Sequence, residues 1–327
     1  MYPRTVAAIL LSLGSILFFA GPAAMTAQAQ AAAGLERQAV QEASDAAAAP
    51  APGAAATAER RRPAAKSQAE YDAFQACLQE KDPNKQIRMV EDFLLEYPDT
   101  ELKEYAFQAA TQAYQAKNDY PKLLTYGEMT LEENADNLAA LLILSTAIPE
   151  RTSRSDPDAA ESLAAAERYA LRALELIPQM PRRASVTPEE WERSKKDAEA
   201  GPHAALGLIA MMREDFWKAE REFKLATELV TRPDPIALYR LGLAYSFQKR
   251  YDLALEALER SDGAGGVKIS SAGGRRDLVA EAREFAWKAK AAMETPGVAV
   301  DDSAVDSSAA PLEEPGAPPV PPESETP

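Results

Sequence analysis

The sequence predicts an all-α protein, a right-handed α-solenoid of stacked antiparallel helix pairs, and three observations carry that expectation. The first is an internal repeat. Residues 203–229 and 238–261 superpose at a constant offset of 35 residues, with Leu206-Gly207 falling on Leu241-Gly242, Ala219 on Ala254 and Phe223 on Leu258. Small residues at matched places let two helix backbones cross closely, which is what stacked helix pairs need. The second is composition: alanine is abundant, and the alternation of β-branched and aromatic residues expected of strands extends nowhere over more than a few positions. The third is spacing, since Ala219, Phe223, Ala226 and Val230 recur at helical intervals while Lys218, Glu220, Arg221, Glu222 and Lys224 fall between them. A unit of this kind cannot bury its apolar face alone, so the chain is expected to be an array.

The repeat carries a resemblance. Leu238, Leu241-Gly242, Tyr245, Ala254 and Leu258, with Ser261 closing the run, resemble the tetratricopeptide repeat. The preceding copy is His203, Leu206-Gly207, Ala219, Phe223 and Ala226, with Pro233 near the expected terminal proline. In that frame the earlier elements follow in order. Residues 71–79 and 87–97, closed by Pro98, read as a first pair. Phe107, Ala110, Tyr114, Tyr120, Leu123 and Leu131 fit a second, in which Gly127 and Thr130 replace the usual aromatic and alanine of the second helix. A third has helices at about 138–148 and 159–177 and ends in Pro178, and its long connection, 149–158, is expected to protrude. Thr187-Pro188-Glu189-Glu190 reads as a capping box opening a helix through Trp191. The glycine clusters 263–266 and 273–274 read as a flexible connection to a last helix at 277–293.

The ends are of another kind. Arg4, an uncharged apolar stretch over 6–20 and Ala27-Gln28-Ala29 form the three regions of a secretory signal over residues 1–29. The apolar stretch is shorter than the roughly 20 residues of a membrane-spanning helix, so no span is expected to remain after cleavage; the alternative is an anchor through an uncleaved signal. Residues 30–66 are rich in alanine and proline, and 295–327 are proline-rich and acidic. Neither has the apolar surface to offset its conformational entropy, so both are expected to be disordered around a repeat domain at 67–294, clearest over 203–229 and 235–262.

The formal net charge is −15. That balance disfavours nucleic acid, whose phosphates are held by a surplus of Lys and Arg on one face. With one histidine and one cysteine, Cys77, the chain has neither a His/Cys metal cluster nor an internal disulfide. His203 is read as a packed side chain, and Cys77 as a small buried one. The glycine clusters lack the preceding strand and the Gly-Lys-Ser/Thr ending of a phosphate loop. No cofactor, catalytic residue or metal ligand is expected, and the chain is read as a non-enzyme; a cell-wall-active enzyme would need an added catalytic domain, for which no segment is left over.

The resemblance implies that partners lie along the first helix of each pair. That row is Tyr105, Gln108, Gln112 and Gln115, then Leu142 and Thr146, then Ala204, Leu208, Met211 and Met212, then Tyr239, Leu243, Ser246 and Phe247. It lacks the Lys and Asn with which similar repeats grip a terminal carboxylate. It is polar first and apolar later, and Leu208, Met211, Met212, Tyr239, Leu243 and Phe247 are the expected seat of an amphipathic helix or apolar segment. The alternative for each of these residues is packing against the next helix pair, or cover by residues 179–200 or 277–293 folding back over them. The function expected is a scaffold binding another exported or envelope protein, with self-association as the alternative.

Overall fold

Small residues decide how the helices approach. A Cβ on Gly207 would lie 2.8 Å from the Phe223 ring, and one on Gly242 would lie 2.6 Å from Leu258 Cγ, so each glycine is the slot into which the next helix inserts its largest core side chain. The computed structural model describes residues 63–294 except 183, 272 and 273. The signal, nearly all of the first linker and the acidic tail lie outside the described residues.

Among the described residues eleven α-helices follow one another in consecutive pairs: α1 (Gln68–Gln79) with α2 (Pro83–Glu96), α3 (Lys103–Ala116) with α4 (Tyr120–Glu133), α5 (Leu138–Arg151) with α6 (Ala159–Leu176), α7 (Pro188–Met212) with α8 (Phe216–Glu228), and α9 (Pro235–Phe247) with α10 (Tyr251–Gly263). The last, α11 (Leu278–Glu294), has no second member among the described residues. Starts are set by side chains that accept free backbone N–H groups: Ser67, Asp82, Asp119, Asn137, Asp215 and Asp234 each cap the helix that follows. Thr187 and Glu190 form the full capping box at the head of α7. Thr187→Ala is expected to lower stability by about 1 kcal/mol, with faster amide exchange confined to the first turn of α7.

Within three pairs the turn between helices is the same object. Asn118, Glu214 and Lys249 hold left-handed φ values of 57°, 62° and 61°, and the N–H one place past each of them reaches back to the carbonyl of Tyr114, Ala210 or Tyr245. Asp119 and Asp215 then cap the second helix. In the third copy Arg250 stands there instead and packs over the rings of Tyr245 and Trp217 at 5.0 and 5.4 Å. Phe223 and Leu258, at matched places in their pairs, are fully buried.

Several local expectations change. Gly127 is not a defect in the repeat: it makes room for Leu144 of the next pair, whose Cδ2 would lie 2.7 Å from an added Cβ. Thr130 is buried and donates to the Tyr126 carbonyl, and Ser261, equally buried, donates to the Pro235 carbonyl at 2.7 Å. The connection between α5 and α6 does not protrude freely. Helix α5 runs through Pro149 to Arg151, Thr152 is buried, and Arg154 donates to the Met211 carbonyl at 2.9 Å and to Glu214 at 2.8 Å. The capping box and the first helix of the fourth pair are one continuous 25-residue helix that includes Pro202, so 188–200 extends that helix rather than folding back over it.

The glycine-rich connection carries a short antiparallel hairpin, β1 (Lys268–Ser271) against β2 (Gly274–Asp277), with Ile269 opposite Arg276. Four residues per strand are too few for an alternation to show in the sequence.

Candidate functional site

Each first helix turns one narrow stripe away from its neighbours, and the stripes differ along the array. On α3 they are Tyr105, Gln112 and Gln115, half-buried, with 106–111 buried between them. On α5 they are Leu138, Leu142, Thr146 and Glu150, spaced four apart, with every other residue over 139–149 buried. The stripe then closes. Residues 205–212 of α7 and 237–246 of α9 are buried without exception, and Ala204 is half-buried.

The six apolar residues expected to seat a partner therefore lie within the array's own packing. Leu208, Met211, Met212, Tyr239 and Leu243 retain 3%, 8%, 9%, 7% and 5% exposure. Phe247 is half-buried, its ring stacked on Phe216 at 4.6 Å and 16°. The repeat residues Leu206, Gly207, Ala219, Phe223, Leu241, Gly242, Tyr245 and Ala254 are all buried. Gln108 and Ser246, expected on the same row, are buried too: Asn137 donates to the Gln108 side chain at 2.8 Å, and Ser246 donates to the Gly242 carbonyl at 2.9 Å.

A tie between helices two pairs apart accompanies the closed half. Arg240 of α9 donates through both terminal nitrogens to the Glu150 carboxylate of α5, at 2.6 and 2.8 Å across 90 residues of chain. Side-chain exposure is 11% for Arg240 and 20% for Glu150, and a bidentate pair this dry is geometrically exacting. Asp234 lies close enough to feel both charges, and burial is the main cause that lifts its carboxyl above the ordinary value. Tyr239, beside Arg240, is pushed up to about 12 by burial.

At the other end of the row, Tyr114 and Tyr126 stack at 5.2 Å and both hydroxyls donate to Glu91, at 3.4 and 3.2 Å. Burial first, then the charge of Glu91, raises the Tyr126 phenol from 10.0 to about 12. Raised phenol values mean that the folded state holds these protons more tightly than the unfolded chain. Their contribution is therefore complete below about pH 10 and is lost as pH rises toward about 12. Titration followed by phenolate absorbance should show Tyr126 and Tyr239 ionising late, together with loss of helical signal.

The ionisable side chains elsewhere serve as ties. His203, expected in the core, is half-buried and its Nδ1 lies 2.9 Å from Glu222. Burial pushes the Glu222 carboxyl up, but His203 and Arg221 more than offset it and hold it below 4.5. Lys218 and Arg213 hold Glu167 low across the α6 to α8 junction. Cys77 is buried, and desolvation raises its thiol to about 11. Among the described residues no group of three or more His, Cys, Asp or Glu side chains is placed to hold a metal ion, and no helix is long and apolar enough to cross a membrane. The Glu150–Arg240 and His203–Glu222 pairs have no signal in the sequence, because each joins residues with no shared motif.

No family model matches the chain, and no curated protein matches it. Solved structures similar to it include PilW, described as a widely conserved type IV pilus biogenesis factor, at 14% identity over 70% of this chain and 93% of that one with a TM-score of 0.46. They also include MamA from Desulfovibrio magneticus, at 13% identity over 61% and 94% with a TM-score of 0.44. A thermophilic tetratricopeptide protein of Thermus thermophilus is similar at 17% identity over 68% and 99%, with a TM-score of 0.39. The assignment of architecture rests on the helix pairs themselves: with its glycine slots at 207 and 242 and its thrice-repeated turn, the fold is a tetratricopeptide-like array of stacked helix pairs.

Proposed function

We propose that the chain is a non-enzymatic scaffold of the cell envelope that holds a segment of another exported protein along the first helices of its array. The observation that carries this reading is the stripe on α3 and α5, where Tyr105, Gln112, Gln115, Leu142 and Thr146 stay half-open while the rest of the row between them is buried. Gln115 on α3 and the Thr146 hydroxyl oxygen, whose proton goes to the Leu142 and Ile143 carbonyls, offer acceptors that suit the backbone N–H groups of an extended segment. Leu208, Met211, Met212, Tyr239, Leu243 and Phe247 continue the same row as its apolar inner end. The sequence of residues 1–29 supports export, and cleavage at that signal leaves the array free in the compartment.

The test is recovery of partners by the full chain from the envelope of its own organism, beside Gln112→Arg/Thr146→Arg and Met212→Glu/Phe247→Glu variants. One exported partner held in stoichiometric amount, lost in the first variant at unchanged helical content, supports the reading. Retention of that partner by both variants rejects the row as its site. Self-assembly is a second reading, favoured by the exposed Trp287 and Met293 at the array's end; a mass above the monomer with no partner would select it.

A further inference from the structure

We infer that the open stripe on α3 and α5 takes a cationic segment of its partner, an extended stretch rich in lysine or arginine. This rests on the scaffold reading's choice of row and adds the chemical class of what lies on it. Charge is spread unevenly along the array. Residues 67–158, which span α1 to α5, carry 8 basic and 18 acidic side chains, whereas residues 159–294 carry 22 of each. The negative excess of the array therefore sits in the half that keeps the stripe open, and none of it in the half where the row is buried.

Local hydrogen bonds do not cancel that charge. Glu70 accepts from the Thr100 hydroxyl and the Lys66 backbone amide, Glu91 from the phenols of Tyr114 and Tyr126, and Glu104 from the side chains of Asn134 and Asn137. Asp82 and Asp119 accept from backbone amides at helix starts. All of these donors are neutral, so the hydrogen bonds orient the carboxylates without supplying a counter-charge. Asp92, Glu132 and Glu133 are exposed on the second helices. Asp136 and Glu150 do meet bases, Arg172 and Arg240, and both bases come from the other half.

The row itself is uncharged. Helices α3 and α5 carry no charged side chain from Tyr105 to Ala116 or from Leu138 to Pro149, and Arg240, tied to the end of α5, is already taken up by Glu150. An acidic segment laid on this row would meet repulsion and no cation to pair with it. A cationic one gains hydrogen bonds from the row and attraction from the whole half around it, a field that also speeds encounter by about 10- to 1000-fold at low salt. This chain's own residues 295–327, with seven acidic side chains and no basic one, have the wrong sign to compete.

The test is fluorescence anisotropy of the full chain with two labelled peptides of alternating alanine and glutamine, one carrying four lysines and the other four glutamates. The lysine peptide is expected to bind at least about tenfold more tightly at low salt, and to weaken as the screening length falls to about 8 Å at 0.15 M. Position separates the row from diffuse attraction. Thr146→Arg adds one positive charge on the row, and Glu132→Gln removes one negative charge from the exposed side of α4, so each changes the net charge equally. Thr146→Arg should cost about tenfold in affinity and Glu132→Gln less than about twofold; Gln115→Lys repeats the first reading from α3 should Thr146→Arg lose helical content. Equal affinity for the two peptides overturns the inference, and so do equal losses in Thr146→Arg and Glu132→Gln. Binding seen only in Arg60→Gln/Arg61→Gln/Arg62→Gln overturns it as well, since the chain's own basic run would then hold the row. If neither peptide is preferred while Gln112→Arg/Thr146→Arg still releases the native partner, the charge class fails and the scaffold reading stands.

Discussion

Glu150→Ala is expected to destabilise the array by about 3–5 kcal/mol, because it leaves the Arg240 guanidinium buried without its counter-charge. Arg240 is 9% exposed and makes both of its described hydrogen bonds to this one carboxylate. Glu150→Gln keeps the shape and one acceptor, so it should lose less. Replacing both partners together, Glu150→Leu with Arg240→Met, should recover most of the loss, since exchanging a buried pair for apolar groups of similar size is often nearly neutral. Urea denaturation of the four proteins measures this, and a single Glu150→Ala loss under about 1 kcal/mol would mean that Arg240 finds water or another acceptor. The same set bears on function. If the tie closes the apolar end of the row, Glu150→Leu/Arg240→Met should leave exchange over 205–212 unchanged while Glu150→Ala accelerates it.

Phe223→Ala should cost about 3–5 kcal/mol through the cavity it leaves, as Phe223 is fully buried against the Gly207 slot. Filling the slots is the complementary change. Alanine gains about 1 kcal/mol of helix propensity over glycine, so a net loss in Gly242→Ala or Gly207→Ala isolates the clash, which overpacking places at about 1–3 kcal/mol. Gly242 should suffer most: its added Cβ meets Leu258 Cγ at 2.6 Å, which moves only if that fully buried side chain changes its χ1 rotamer, and the Ala254 backbone carbonyl at 3.3 Å. Gly127→Ala should suffer least, because the atom it meets first is the terminal methyl of Leu144. Gly207→Ala/Phe223→Ala should lose less than the sum of its parts, a coupling readable from a double-mutant cycle. Strict additivity would show that the slot and the ring do not constrain each other.

The legible part of the fold is the part written in short-range pattern. The glycines at 207 and 242 mark close approach because only a missing Cβ permits it, and the capping box at Thr187 is a local hydrogen-bond arrangement that four consecutive residues specify. The turns after α3, α7 and α9 are less readable, since the usual glycine signal is absent and Asn118, Glu214 and Lys249 take the left-handed position. The hairpin at 268–277 escapes a sequence reading because glycines that open a loop and glycines that flank a two-stranded turn look alike. The candidate row is legible as positions on successive first helices, but not as open or closed.

The sequence by itself determined that this chain stacks helices in pairs and which residues occupy the slots between them, because helical periodicity and small-residue spacing act within a repeat of about 35 residues; it did not show that the helix holding Gly207 begins as early as Pro188. Only the tertiary structure decided how far the first-helix row stays accessible. That depends on Glu150 meeting Arg240 across 90 residues and on Arg154 fastening the α5–α6 connection to Met211 and Glu214. Such contacts join residues of different helix pairs, so no single repeat encodes them.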